Sequence, residues 1–315
     1  MPQFDPLDTT AVSFPAIDRH AEGNAGIPYL YRFDSGRPGP HVMIAALVHG
    51  NEVCGVHCLE WLLDTGVRPE RGVLSLAFIN VEAYARFDAN DPLASRYVDE
   101  DFNRVWAPET LDSSRDSREL RRARQLRAYI DTVDRLLDLH SMSTSETPVM
   151  MAGPLDKGRH LAEAIGLPQW VIMDSGHDAG TRLRDYAHFG DPQADACAAL
   201  LETGPHFWAQ GPALAIHVAA RFLETIGVVT KAPTPPEPCP VPGQPNRVVR
   251  VDDRYTVKTA NFRFTRDLRG LEVLPAGTEI ARDGGELVVT PYPDCVIVMP
   301  SRDKQPGETA VRFGR

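Results

Sequence analysis

The chain has 315 residues, with 33 lysine or arginine residues against 43 acidic ones, and its formal net charge is −10 at pH 7. This balance excludes a domain-wide basic surface, so no nucleic-acid partner is expected. No apolar stretch reaches the length of a membrane span, and the first residues lack the pattern of a secretory signal. The five cysteines form no dense framework. We therefore expect a cytoplasmic protein with reduced thiols and no membrane partner.

Continuous apolar runs predict strands that are buried on both faces of a sheet. These runs cover residues 41–48, 72–80, 134–140, 170–174 and 197–202. Apolar residues at helical spacing predict helices over 52–64, 117–130 and 213–226. Strands that alternate with helices predict a three-layer α/β fold.

A proline-rich stretch, "KAPTPPEPCPVPGQP" at 231–245, separates two kinds of pattern. Its proline density is typical of an extended connector. Beyond it come short apolar runs: "RVVRV", "YTVKT", "TEIARDGGELVVTP" and "CVIVMP". The Asp-Gly-Gly at 283–285 predicts a hairpin turn. We predict one domain at 1–230, a linker at 231–246 and a β-rich domain at 247–315.

Three polar side chains follow or close predicted strands. His49 follows the strand at 41–48, while His140 and Glu202 close the strands at 134–140 and 197–202. Because ligands of open α/β sheets bind beyond the carboxyl ends of strands, we expect these residues to meet at one edge.

His49, Glu52 and His140 form a donor set suited to one catalytic zinc ion per chain. The His-x-x-Glu spacing fits a turn from a strand into a helix. Asp138 shares a strand face with His140, so it is a candidate acceptor for the hydrogen of a ligand imidazole. Taken singly, His49 also fits a capping or core histidine, and Glu52 fits an acid in a first helical turn.

A rival metal site would use His49, Cys54, His57 and Cys58. The two cysteines are four residues apart, so they would share one face of a helix. The surrounding helix is mostly apolar, and free cysteines are commonly buried. This pattern favours packing over a thiolate site.

Four segments together resemble the succinylglutamate desuccinylase/aspartoacylase family, relatives of the zinc carboxypeptidases that cleave N-acyl amino acids. They are "HGNE" (49–52), "SRYVDEDFNRVW" (95–106), "DLHS" (138–141) and "LLETGPHFW" (200–208). Their order and approximate separation also match. The resemblance covers about residues 40–230 and extends more loosely through the β-rich region. It implies a carboxypeptidase-like α/β/α domain with a mixed sheet and a small C-terminal β-rich domain.

The resemblance also implies roles for individual residues. His49, Glu52 and His140 would bind zinc. Glu202 would be the general base that activates water and then protonates the leaving amine. Arg96 would stabilise the oxyanion, and Asn103 with Arg104 would hold the carboxylate of the amino-acid half.

Two further regions hold weaker candidates. The segment "SGHDAGTRLRDYAHFG" (175–190), which contains His177, is expected to be a mobile loop near the site or a surface loop. Within it, Thr181 or Arg182 is a candidate for substrate contact. His206 and Trp208 are candidates for the acyl pocket, although ordinary packing explains the tryptophan equally well. The aspartoacylase substrate loop has no residue-by-residue match in this sequence. The resemblance therefore does not imply which acyl group the substrate carries.

The sequence therefore predicts a zinc-dependent amidohydrolase that acts on a small N-acyl amino acid or a related carboxylate-bearing amide. Two alternatives remain: a metallocarboxypeptidase acting on short peptides, and a non-catalytic binding protein on the same fold. Assembly into a homo-oligomer stays open.

Overall fold

The computed structural model describes residues 8–144, 147–176, 179–241, 243, 245–302 and 304–315. The chain divides into two compact units. The first comprises Met1–Val171 and Gly176–Asn246, and the second comprises Ile172–Ser175 and Arg247–Arg315. The domain boundaries drawn from sequence stay a prediction.

A mixed sheet forms the centre of the first unit. Its strands are β1 (Leu30–Asp34), β2 (His41–Ala46), β3 (Val73–Phe78), β4 (Arg135–Met142), β5 (Val149–Met151), β6 (Trp170–Met173) and β7 (Cys197–Pro205). They run in the order β1-β3-β2-β4-β7-β5-β6, and the last two residues of β6 belong to the second unit. Strands β3, β2, β4 and β7 are parallel to one another, whereas β1 and β5 run antiparallel to their partners β3 and β7.

Helices cover both faces of this sheet. They are α1 (Cys54–Asp64), α2 (Val81–Tyr84), α3 (Pro108–Leu111), α4 (Arg118–Ile130), α5 (Asp156–Ile165) and α6 (Gly211–Ile226). The apolar stripe of α4 packs in one core with Met43 and Leu136 of the sheet. Helix α1 lies on the opposite face, where Gly55 approaches Ala46 and Leu139 closely, and it contacts α6. The predicted three-layer α/β/α architecture is confirmed.

The ends of the elements differ from those predicted. Strands β4 and β7 continue to Met142 and Pro205 because these residues still pair with each other. His140 and Glu202 therefore lie inside strands near their carboxyl ends rather than at the last residue. Helix α1 begins at Cys54, so Glu52 precedes the helix instead of opening it.

The second unit consists of antiparallel strands. They are β8 (Arg247–Thr256), β9 (Arg263–Phe264), β10 (Val273–Leu274), β11 (Glu279–Asp283), β12 (Glu286–Val289), β13 (Cys295–Val298) and β14 (Thr309–Gly314). The order β8-β14-β13-β10 forms one arrangement and β12-β11-β9 another. The hairpin predicted at Gly284-Gly285 joins β11 to β12. The runs "RVVRV" and "YTVKT" were predicted as separate strands, but β8 passes without a break from Arg247 to Thr256.

Within the described part of the chain, no helix is both long enough and apolar enough to cross a membrane.

The cap of α4 gives a stability prediction. The Ser117 hydroxyl accepts a hydrogen bond from the Leu120 amide at 3.0 Å at the start of this helix. Loss of such a cap costs about 1 kcal/mol because an orphan amide is left behind. We expect Ser117→Ala to lower the free energy of unfolding by about 1 kcal/mol in a denaturant titration. Ser114→Ala, at a nearby exposed serine, is the control; equal effects of the two changes would contradict the capping role.

Candidate metal centre

A tight polar turn follows β2 and carries His49 and Glu52. The Glu52 amide donates to the His49 carbonyl at 3.2 Å, which closes the turn. A Cβ atom on Gly50 would lie 2.4 Å from the Ser95 carbonyl oxygen. The Gly50 amide also donates to the Arg96 carbonyl at 3.0 Å. Glycine therefore lets this turn pack directly against the backbone that carries Arg96.

His49, Glu52 and His140 converge on one point in the interior of the first unit. All three are buried, and they offer ligand atoms that lie within 4.8 Å of one another. Nδ1 of His49 lies 2.8 Å from one Glu52 carboxylate oxygen, and Nδ1 of His140 lies 2.8 Å from the other. Two imidazole nitrogens and one carboxylate are a donor set that fits catalytic zinc. The structure thus brings together the residues that the sequence singled out.

The second ring nitrogen of each imidazole, Nε2, lies next to an aspartate carboxylate. Nε2 of His49 lies 3.0 Å from Asp101 Oδ1, and Nε2 of His140 lies 2.9 Å from Asp138 Oδ2. The first pair is a hydrogen bond, whereas the second is a close ion-pair contact without hydrogen-bond alignment. Histidines that bind metals through one nitrogen commonly give the other to a carboxylate. Asp138 lies where the sequence predicted such a partner.

The charges in this cluster reinforce one another. Burial disfavours the ionised form of Glu52, but His49 and His140 outweigh it and hold the pKa of the Glu52 carboxyl well below its usual range. Burial also opposes the protonated form of His140. The carboxylates of Asp138 and Glu52 outweigh this effect and raise the pKa of His140 well above its ordinary value. Glu52 is therefore ionised, as a metal ligand must be.

Glu202 lies beside this cluster on β7, where it pairs in register with His140 of β4. The residue is partly exposed, but its Oε2 atom is buried and has no hydrogen-bond partner among the described residues. Burial raises the pKa of Glu202 to about 8. A buried carboxyl oxygen without a partner lowers stability, and such groups are typical of functional sites.

Arg96 stands at the accessible side of the cluster. It ends a short 3-10 helix, Ala94–Arg96, and about a third of its side chain is exposed, at 34%. One guanidinium nitrogen lies 2.9 Å from His49 Nε2, and another lies 3.6 Å from a Glu52 oxygen. Its guanidinium thus lies beside the predicted metal ligands. Its role in stabilising the oxyanion stays a prediction.

Asp101 links these groups to the rest of the arginine segment, which we define as residues 96–104. Its Oδ2 atom lies 3.2 Å from the Arg96 guanidinium and 3.9 Å from that of Arg104. Its Oδ1 atom accepts the Asn103 amide hydrogen at 2.8 Å and also contacts His49. Burial opposes ionisation of Asp101, but its bond to His49 and the nearby positive charges lower its pKa. Asp101 is not among the site residues predicted from sequence; its Asp-x-Asn spacing, which caps the 3-10 helix Phe102–Arg104, is the sequence signal for it.

Asn103 joins the arginine segment to residues 179–186. Its side-chain oxygen accepts the Leu183 amide hydrogen at 2.8 Å, and the Trp106 amide donates to the Thr181 carbonyl at 3.2 Å. Arg182 is buried, and its Nε lies 2.5 Å from Asp185. Substrate contact by Asn103, Arg104, Thr181 or Arg182 stays a prediction.

Within the segment 175–190, residues 179–190 are not simply a surface loop, because several of their side chains are buried. Residues 177 and 178, which include His177, lie outside the described residues. Further along, Leu183, Tyr186 and Phe189 are buried in the core that also contains the α4 stripe. This part of the segment is therefore a structural support beside the arginine segment.

His206 follows β7 directly and is buried. Its Nδ1 atom lies 2.8 Å from the hydroxyl of Ser141, the residue after His140. Burial lowers the pKa of His206 to about 4, so its imidazole is neutral at pH 7. Trp208 is partly exposed. Their contact with an acyl group stays a prediction.

The rival cysteine site is not formed. Cys54 and Cys58 are buried in α1, and burial raises the pKa of Cys54 to about 12 and also raises that of Cys58. His57 instead bonds to the Ser13 carbonyl at 2.9 Å. Among the described residues, the donor cluster with metal-ligand spacing is the one at His49, Glu52 and His140. Both cysteines therefore serve as packing residues.

Comparison with known proteins gives the family. The model of the succinylglutamate desuccinylase/aspartoacylase catalytic domain matches residues 38–217. The chain belongs to this family. The matched region contains His49, Glu52, His140 and Glu202.

Individual relatives are distant. A probable aspartoacylase from Parasynechococcus marenigrum (strain WH8102) is 26% identical over 194 residues, which are 58% of this chain and 59% of that protein. The chain thus spans less than two thirds of the length of this relative.

Solved structures share the fold. The succinylglutamate desuccinylase from Vibrio cholerae has a TM-score of 0.69 and 15% identity, covering 91% of this chain and 85% of that one. The product-bound ectoine utilization protein from Ruegeria pomeroyi has a TM-score of 0.63 and 15% identity, with coverages of 90% and 88%.

Metal analysis tests the cluster. We expect wild-type protein incubated with zinc and desalted to retain one ion per chain. His140→Ala should weaken zinc affinity by more than about 100-fold, since loss of an outer partner alone costs 10- to 100-fold. His57→Ala, outside the cluster, should retain zinc. Full retention in His140→Ala, or loss in His57→Ala, would contradict the assignment.

Proposed function

We propose that the protein is a zinc-dependent deacylase. It hydrolyses the amide bond of an N-acyl amino acid, or of a related N-acylated amine that bears a carboxylate. The observation that carries this proposal is the convergence of His49, Glu52 and His140 beside a buried carboxyl oxygen of Glu202 that has no hydrogen-bond partner among the described residues. Membership of a deacylase family supports the reaction type.

His49, Glu52 and His140 would hold the zinc ion. When bound, zinc supplies Lewis-acid activation of water and of a carbonyl oxygen. The protein contributes rigid ligands, because Asp101 and Asp138 stand behind the two imidazoles. Such outer carboxylates fix ring orientation and raise ligand basicity.

Glu202 acts as the general base and then as the general acid. Its carboxylate accepts a proton from the attacking water and delivers that proton to the nitrogen of the departing amine. A catalytic base works best when its pKa is near the working pH, and burial brings the pKa of Glu202 to about 8. Because Oε2 has no hydrogen-bond partner among the described residues, it is available for this transfer.

Arg96 stabilises the negative charge that develops on the carbonyl oxygen. Its guanidinium already lies within 3.6 Å of both His49 and Glu52 atoms, so it faces the reacting centre. A fixed cation at the position of a developing oxyanion lowers the barrier more than it strengthens substrate binding.

Arg104, with the amide group of Asn103, holds the carboxylate of the amino-acid half. A guanidinium offers two parallel N–H donors to a carboxylate, which a lysine does not. Local arginines explain how a chain with a net charge of −10 binds an anion. Arg182 lies in the adjoining segment and is assigned a supporting role in substrate binding.

Two alternatives use the same residues. A metallocarboxypeptidase would need the same ligands and base, and the size of the acyl pocket would separate it from a deacylase. A binding protein would have no need for Glu202. The names of the relatives, aspartoacylase and succinylglutamate desuccinylase, denote acyl removal and favour the deacylase. A cytoplasmic location and homo-oligomer formation stay predictions.

Glu202→Gln tests the base. We expect this variant to retain one zinc ion per chain and to lose about 100- to 10,000-fold in kcat, the usual contribution of general acid–base catalysis. Glu163→Gln changes a glutamate of α5 that pairs with Arg159, and it should leave turnover unchanged. Near-normal turnover by Glu202→Gln would remove Glu202 as the base.

A further inference from the structure

We propose that Glu119 is a positioning residue for the arginine segment, and that it sets the preference for carboxylate-bearing substrates. This inference rests on the proposed deacylase function. Glu119 lies on α4, 15 residues after Arg104 in sequence. It is fully buried, at 0% exposure.

Four hydrogen bonds converge on the Glu119 carboxylate. One oxygen accepts from the Val98 amide at 2.7 Å and from the Asn80 side chain at 3.1 Å. The other accepts from the amides of Asp99 at 3.1 Å and Glu100 at 3.3 Å. The carboxylate therefore binds three successive backbone N–H groups of the arginine segment.

This arrangement makes the backbone geometry depend on one charge. A buried carboxylate is tolerated only when hydrogen bonds replace its water shell, and three adjacent amides do so only in one local conformation. If the carboxylate is lost, those amides lose the acceptor that holds them in this conformation. The conformation of residues 98–100 is therefore set by Glu119.

Residues 98–100 connect the groups assigned to the reaction. Arg96 lies two residues before Val98, and Asp101 directly follows Glu100. Asp101 in turn contacts His49, Arg96 and Arg104. A shift of this short backbone stretch moves Arg96 and Arg104 together relative to the metal ligands.

The contact is reciprocal, which distinguishes it from ordinary packing of a helix. Asp99 accepts the Arg118 amide hydrogen at 2.8 Å, at the start of α4. The arginine segment thus supports α4 through Asp99, and α4 supports the segment through Glu119. Of these two carboxylates, Glu119 is buried and Asp99 is exposed.

The test compares two substrates in one variant. Glu119→Gln keeps the shape but turns an N–H₂ group towards backbone N–H donors. The measured quantity is the ratio of kcat/KM for an N-acetyl amino acid to kcat/KM for the matched N-acetyl amine without the carboxylate. This ratio is independent of the fraction of folded enzyme. We expect the ratio to fall at least tenfold, with zinc retained.

Two matched variants complete the test. Glu82→Gln alters a half-exposed glutamate that pairs with Arg118 and Arg86, and its ratio should equal that of the wild type. Glu119→Asp keeps the acceptor oxygens on a shorter side chain, so its ratio should lie between those of wild type and Glu119→Gln. If Glu119→Gln does not fold, the Glu119→Asp ratio decides: a wild-type value there overturns the proposal.

Hydrogen exchange distinguishes a failure of the Glu119 contact from a failure of the proposed function. The amides of residues 98–100 should exchange faster in Glu119→Gln than in Glu82→Gln. An unchanged substrate ratio, or unchanged protection of these amides, overturns the role of Glu119. An absence of deacylation by zinc-loaded wild type would instead overturn the proposed function. The exchange rates of the amides of residues 98–100 would still show whether Glu119 holds them.

Discussion

The contact between two buried imidazoles and one buried carboxylate is the constraint on which the rest of the site depends. Glu52 meets His49 and His140 at 2.8 Å each, and all three side chains are buried. An ionised carboxylate in such a place is stable only if positive charge faces it. The tight turn after β2 and the carboxyl end of β4 bring these charges together, and a divalent cation would satisfy the same three donors.

The arginine segment extends this arrangement towards the substrate. Asp101 is its central group, because one carboxylate contacts a candidate metal ligand and two arginines. Each of these arginines also has a carboxylate or carbonyl neighbour that orients it, as Asn103 O does for Arg104 at 2.7 Å. The preorganised cations of this segment give an acidic protein a local preference for anions.

Sequence patterns predicted the sheet and the residues of the donor cluster because apolar runs and strand ends can be read directly from the sequence. Long apolar runs identified β2, β3, β4 and β7, and the rule about strand ends grouped His49, His140 and Glu202. Other features of the fold and the site could not be predicted from sequence patterns. The short strand β5 has three residues, too few for a pattern, and Asp101 and Glu119 act through contacts between distant loops and helices. Sequence patterns also gave no sign that the Asn103 side-chain oxygen accepts the Leu183 amide hydrogen.

One comparison tests the central claim most directly: the kcat/KM of zinc-loaded protein on a panel of N-acyl amino acids, measured beside that on dipeptides of the same carboxyl-terminal residues. The substrates share the amide bond and the carboxylate, and differ in the group on the acyl side. We predict that the N-acyl amino acids are hydrolysed with the higher kcat/KM, and that removal of zinc abolishes the reaction. A higher kcat/KM on the dipeptides, or turnover that persists without metal, would contradict this account.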